Sequence, residues 1–252
     1  MKRLIGVAAI LTVLLFWGSV VLAQPGKAFR LPSSAVKISD GLYYLGRSVS
    51  GAQGYAILRY AAGFAKPGGS GAARAPKCYG FLSKGARWKN TESYVTDVND
   101  PATENSLETW DSRVSFDVFG SRDPSGLVDG TDTAAPDDKN ELYFGQIEES
   151  GVIGVTTVWG YFYGPTFARE LIEWDMVLDN TDFDWSFTAT PDPAKMDYQN
   201  ILTHELGHAA GLNDQYDTTC SEATMYGYGT EGETKKRDLA APDITGIQEL
   251  YR

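Results

Sequence analysis

The 252-residue sequence predicts an α+β fold, and three observations carry that reading. Several short segments alternate apolar and polar residues, as strands with one buried face do. A helix that Asp197 can cap runs through Ile201 and Leu202 to Ala210. A last helix opens at Pro242, with Ile244, Ile247, Gln248 and Tyr251 at helical spacing.

At the start of the chain, Lys2 and Arg3 precede an apolar run from Leu4 to Leu22, and Val21-Leu22-Ala23 stands before Gln24. A basic start, an apolar middle and a small residue at the end read as an export signal over residues 1–23, cut after Ala23. The competing reading is an uncleaved anchor, because the run is nearly long enough to span a bilayer. Segments 41–45 and 54–58 read as one or two hairpins, too small to fold well alone. Residues 66–76, rich in Gly, Ala and Pro, read as a linker. The expected division is therefore a signal at 1–23, an N-terminal arm or pro-segment with its linker at 24–76, and the main domain at 77–252.

Within the main domain, Ser93-Tyr94-Val95-Thr96 reads as a strand, and Glu104 to Val114 as a helix with Leu107, Trp110 and Val114 on one stripe. Residues 141–144 and 154–159 read as further strands. From Ile172 to Leu178 apolar and acidic residues mostly alternate, which predicts a half-buried strand. The whole is roughly 175 residues, an ordinary size for one domain.

The net charge is −11, and loss of Lys2 and Arg3 with the signal takes it to −13. That argues against nucleic acid or anionic membrane surfaces as partners. No later segment is apolar enough to cross a membrane. The two cysteines, Cys78 and Cys220, are expected to form one disulfide in an oxidising compartment.

The most specific signal is His204-Glu205-Leu206-Gly207-His208-Ala209-Ala210-Gly211-Leu212-Asn213-Asp214, which holds the chain's only two histidines. On a helix, His204 and His208 share one face and can reach a single ion. Gly211 lets the chain turn back, bringing Asp214 toward the same point. Two neutral imidazoles and a carboxylate around an open position describe a catalytic zinc site. Two histidines merely packed on a helix are the bland alternative. A non-haem iron centre uses the same ligand types, although its carboxylate usually sits elsewhere in the spacing.

The segment from His204 to Met225 resembles the metzincin zinc endopeptidases, with Asp214 where most members have a third histidine. It is most similar to the snapalysin type through Gly211, Leu212, Asp214, Tyr216, Cys220-Ser221-Glu222 and Met225. The tail from Leu239 to Tyr251 resembles the end of matrixin catalytic domains, and Arg87-Trp88 and Glu173-Trp174-Asp175-Met176 are looser matches. The resemblance spans about 78–252. It implies a metzincin-like zincin fold, a twisted mixed β-sheet with an active-site helix and a C-terminal helix.

The resemblance also implies a zinc endopeptidase acting on protein or peptide substrates; the export signal implies that it is secreted, with no stable membrane association once the signal is cut, and a monomer is expected. His204, His208 and Asp214 would hold Zn2+. Glu205 would be the general base that takes a proton from water and passes it to the leaving amine. Tyr216 matches a tyrosine that helps hold the transition state, or is simply a wall residue. Met225 would lie in the turn beneath the metal. Two departures stand out: Tyr226-Gly227-Tyr228-Gly229 replaces the usual Pro-x-Tyr wall, and Pro242 replaces an acidic residue of the closing helix.

Two weaker readings accompany these. The acidic loop from Asp123 through Asp129 and Asp132 to Asp137 and Asp138 has the oxygen chemistry of structural Ca2+, and is otherwise a solvated turn. Pro76-Lys77-Cys78 resembles a fragment of the matrixin cysteine switch, the alternative to a disulfide. A catalytically silent envelope or adhesion protein on the same scaffold is the competing function; an intact Glu205 argues against it.

Overall fold

Runs of β-branched and aromatic residues, broken by glycine and polar turns, build a sheet onto which the helices pack. The computed structural model describes residues 27–64 and 77–252; the expected signal at 1–23 and the linker at 66–76 lie outside the described residues. Before the linker come β1 (Ala28–Phe29), β2 (Val36–Lys37), β3 (Leu42–Arg47) and β4 (Gln53–Ala61). After it, β5 (Gly80–Phe81) and β6 (Tyr94–Thr96) lead into α1 (Pro101–Asp111). The long strands follow as β7 (Asn140–Ile147), β8 (Val152–Tyr161) and β9 (Glu170–Asp179). Then β10 (Trp185–Ser186) and β11 (Met196–Asp197) precede α2 (Tyr198–Ala209). The chain ends through β12 (Leu212–Asn213), β13 (Tyr228–Gly229) and α3 (Ala241–Leu250).

Among the described residues, nine strands form one mixed sheet in the order β1-β7-β9-β8-β4-β3-β2, with β6 beside β7 and β13 beside β4. β6, β7 and β9 are parallel; β8 runs antiparallel to β9, and β4 antiparallel to β8. Each face of the sheet has its own core. On one, Ile57, Ile153, Val158, Met176 and Leu178 pack with Leu107 and Trp110 of α1 and with Ile201, Leu202 and Leu206 of α2. On the other, Leu45, Ala56, Leu58, Tyr143, Val155, Trp159 and Val177 cluster together. Strand alternation accounts for the split: in β4, Ile57 points toward the helices, Ala56 and Leu58 away. This is the expected α+β class, a mixed sheet with a few helices.

Two details differ from expectation. α1 begins at Pro101, because Asp100 caps it by accepting from Ala102 N at 2.9 Å, and it ends at Asp111, short of Val114. β9 is buried rather than half-buried: Glu173 and Asp175 are 0% and 1% exposed because the loop before β7 folds over them. The amides of Asp137 and Asp138 donate to Glu173 Oε2 at 2.7 and 2.6 Å, and that of Asp132 to Asp175 Oδ2 at 2.8 Å. The β3–β4 hairpin docks onto the strands that follow the linker. β4 pairs with β8 from Gln53↔Gly160 to Tyr60↔Val152, so strands on both sides of the expected boundary share one sheet.

Cys78 and Cys220 form a disulfide that closes a separation of 142 residues. The thiol-switch alternative for Cys78 is thereby corrected: its sulfur is committed to Cys220.

Candidate metal centre

Asp197 initiates α2, accepting from Asn200 N at 2.9 Å and from Arg237 Nε at 2.8 Å. At the far end, helix carbonyls lack partners in the next turn. Trp88 Nε1 donates to Ala209 O at 2.8 Å and Tyr251 Oη to Ala210 O at 2.9 Å, so both buried carbonyls are satisfied. Gly211 then takes φ +100°, a conformation glycine adopts without Cβ strain, and the chain turns back. Gly207 lets the turn below press close: a Cβ there would lie 2.2 Å from Met225 Sδ and 2.8 Å from Trp110.

This path brings His204, His208 and Asp214 together. Asp214 Oδ1 lies 3.1 Å from His204 Nε2 and 3.4 Å from His208 Nε2. Ligands on a tetrahedral ion with bonds of about 2.0–2.1 Å are separated by about 3.3 Å, so this spacing matches zinc's. The other ring nitrogens are anchored on backbone carbonyls: His204 Nδ1 on Thr224 O at 2.6 Å and His208 Nδ1 on Leu212 O at 3.1 Å. With Nδ1–H donating, each Nε2 keeps its lone pair for an ion.

Burial makes the point sharper. His204, Glu205 and His208 are 0% exposed and Asp214 is 7% exposed, yet both Nε2 atoms, Asp214 Oδ1 and Glu205 Oε1 have no hydrogen-bond partner. Unpartnered buried polar atoms are costly, and their convergence is what an ion would resolve. The residues present fit zinc.

The neighbours fix orientation. Thr156 Oγ1 donates to Glu205 Oε2 at 2.7 Å, leaving Oε1 free to work. Tyr216 Oη donates to Asp214 Oδ2 at 2.9 Å, which aims Oδ1 at the imidazoles. The carbonyl that holds His204 is itself held: Asp243, in the first turn of α3, accepts from Thr224 N at 2.8 Å and Met225 N at 3.0 Å.

Burial raises the pKa of Glu205. Burial, and then the guanidinium of Arg59, lower that of His204, keeping its imidazole neutral. In the His208–Asp214 pair burial opposes both charges, but their attraction outweighs it, raising His208 and lowering Asp214.

A second cluster lies behind the sheet. Asp132, Glu173 and Asp175 each offer a carboxylate oxygen within 4.8 Å of the others. Glu173 Oε1 and Asp175 Oδ1 are buried without partners. Burial pushes Glu173 up to about 8, the adjacent Glu141 to about 7 and Asp132 to about 6. Of the acidic loop picked out in the sequence, only Asp132 joins this group. Asp123 accepts from Ser125, and Asp129 and Asp137 pair with Lys139 at 2.6 and 2.7 Å.

Sequence reasoning thus singled out His204, His208, Asp214, Glu205 and Tyr216, which the fold places side by side. It passed over Asp243, Thr156 and the buried pair Glu173 and Asp175. No local signal marked that pair: acidic residues alternating with apolar ones read as the solvent face of a half-buried strand, and only the loop closing over Glu173 and Asp175 buries them.

Comparison with known proteins agrees with the region that bears the centre. Residues 154–252 match the matrixin family. A stretch of 63 residues is 40% identical to stromelysin-1 of Equus caballus, covering 25% of this chain and 13% of that relative's length.

Proposed function

We propose, from the premise that residues 154–252 are matrixin-like and so of a metalloprotease family, that this protein is a secreted zinc-dependent endopeptidase acting on proteins or peptides. The observation that carries the reading is the convergence of the unpartnered atoms His204 Nε2, His208 Nε2, Asp214 Oδ1 and Glu205 Oε1 in a buried site.

His204, His208 and Asp214 would hold the ion. Zinc, when bound, supplies Lewis acidity and acidifies a coordinated water. Glu205 does the proton work: Thr156 fixes Oε2, and Oε1 accepts the water's proton during attack on the scissile carbonyl, then returns it to the leaving amine. Burial raises its pKa, which makes the carboxylate a better proton acceptor. Tyr216 holds Asp214 in its ligating orientation, and that role precedes any contact it makes with the substrate. Asp132, Glu173 and Asp175 are the residues that would take a structural Ca2+ ion.

The test pairs metal analysis with hydrolysis. The purified chain should carry about one zinc per molecule. An unfolded protein substrate should be cut, in a chelator-sensitive way, by the full chain or by the chain nicked between residues 65 and 76. Glu205→Ala should retain zinc and lose at least about 10²–10⁴-fold in rate. Full activity in that variant, or iron in place of zinc, would remove the assignment.

A further inference from the structure

Three large apolar side chains stand exposed at one end of the sheet: Val49 fully, Phe167 at 84% and Tyr163 at 49%. The strand pairing brings them together. Gln53 of β4 faces Gly160 of β8, and Tyr161 of β8 faces Glu170 of β9. The β3–β4 turn, which carries Val49, and the β8–β9 connection, which carries Tyr163 and Phe167, therefore leave the sheet side by side. They also touch. The Arg47 guanidinium lies 4.8 Å from the centre of the Tyr163 ring, and a Cβ on Gly51 would lie 3.6 Å from Tyr163 Oη. A third segment locks onto the β8–β9 connection. Ser83 Oγ donates to Phe162 O at 3.2 Å, and Arg169 Nη1 donates to Ser83 Oγ at 3.0 Å and to Lys84 O at 2.9 Å.

The charge at this end is the reverse of the chain's average. The sequence holds 33 acidic residues, yet residues 46–52, 80–89 and 162–169 contain none. They contribute Arg47, Lys84, Arg87, Lys89 and Arg169. Arg169 Nε donates to Gly164 O at 3.1 Å, so its bonds go to neutral acceptors and its charge stays uncompensated. Lys84 is exposed and lines the same hollow as Phe167. The nearest carboxylates stand at the rim and are engaged: Glu170 with Lys89 at 3.2 Å, and Glu249 with Tyr79 Oη at 2.8 Å. The net charge of −11 argues against an anionic partner only for the molecule as a whole. Charges farther off than a Debye length, about 8 Å at physiological ionic strength, are screened. At contact, a surface meets this end's own positive charge.

We propose that this end of the sheet docks on a membrane containing anionic lipids. Val49, Tyr163 and Phe167 enter the interface, while Arg47, Lys84 and Arg169 meet the headgroup phosphates. Val49 and Phe167 sit on tight turns, closed by Gly51 N to Ser48 O at 3.0 Å and by Ala168 N to Pro165 O at 2.9 Å. They offer points to insert rather than a flat area for a protein partner to cover. A tyrosine at the boundary and basic groups around apolar tips are the composition of an interfacial anchor. Neither the few apolar groups nor the charge suffices alone, and lipid attachment is stable when both act together. The inference does not rest on the peptidase reading. It also fixes a height for the metal centre: a Cβ on Gly154 would lie 3.6 Å from Glu205 Cδ, and Gly154 to Gly160 along β8 is about 20 Å.

The experiment uses the chain from Gln24 onward, which keeps every described residue and omits the apolar run 4–22 that would itself enter lipid. It is sedimented with vesicles of phosphatidylcholine alone, and with an equal mixture of phosphatidylcholine and phosphatidylserine. The mixed vesicles should bind at least about tenfold more tightly, and added salt should erode the difference. Lys84→Glu should weaken that binding at least about fivefold and flatten its salt dependence. Phe167→Ser should weaken it about tenfold or more and leave the salt dependence as it was. Both side chains are exposed, so an unchanged melting temperature shows that the fold is kept. Leu127→Ser is the control: that leucine is 82% exposed but lies in the acidic loop, and its loss should change nothing. Absence of binding, equal binding to both vesicles, or an equal loss in the Leu127 variant overturns the proposal. So does self-association that Phe167→Ser abolishes without any vesicle binding, which would give the surface to a second copy of the chain.

Discussion

At the scale of single residues, the centre is a chain of supports ending at an imidazole. Asp243 holds the amides of Thr224 and Met225, Thr224 O holds His204 Nδ1, and His204 Nε2 faces the ion position. Asp243→Asn keeps the shape but cannot accept from both amides. Loss of such outer support should lower zinc affinity by about 10–100-fold, read by competition with a chelating dye. Unchanged affinity would mean that the turn holds itself. The candidate ligands were legible in the sequence because a helix fixes their spacing locally: four residues bring two histidines onto one face, and a glycine permits the return of Asp214. Asp243 was not, since an acidic residue in a helix's first turn is already explained by the helix dipole.

At the scale of elements, α2 is held at its C-terminal end by side chains distant in sequence. Trp88 closes Ala209 O and Tyr251 closes Ala210 O, both buried. Trp88→Phe leaves the first carbonyl without a donor and should destabilise by about 1–3 kcal/mol, seen as a lower denaturation midpoint with little change in slope. A change under a few tenths would indicate that another donor moves in. The Cys78–Cys220 bridge ties β5 and the chain after β12. Replacing both cysteines with serine should lower stability by up to about 5 kcal/mol from the loop-entropy argument, measured without reductant. Elements themselves were largely readable, because strand alternation and helix caps are local signals. Pairing was not: nothing within 54–58 states that its partner is β8, about a hundred residues onward. From the sequence alone the hairpin therefore reads as separate.

At the scale of the whole molecule, acidity is unevenly placed. Glu141, Glu173, Asp175 and Asp132 are gathered under the loop before β7, and burial raises all four. A carboxyl raised in the folded state contributes stability that is complete below its unfolded pKa and lost as pH climbs through the folded value. From the ordinary 4.5 of glutamate to about 7 for Glu141 and about 8 for Glu173, the cation-free protein should lose stability across that window. Millimolar calcium should flatten the loss, and thermal melts at pH 5 and pH 8, with and without calcium, read it out. Melting that is indifferent to both would dissolve the cation site. The α+β class came from composition and pattern, whereas this cluster needed the third dimension, because its members are brought together by a loop closing over a strand. None of the described helices is long and apolar enough to cross a membrane. That both histidines of the chain sit in the candidate metal centre has a practical consequence: every imidazole proton resonance from this protein belongs to that centre. A sample labelled at histidine alone and titrated with zinc or cadmium would report loading ring by ring, with no third imidazole to confuse the assignment.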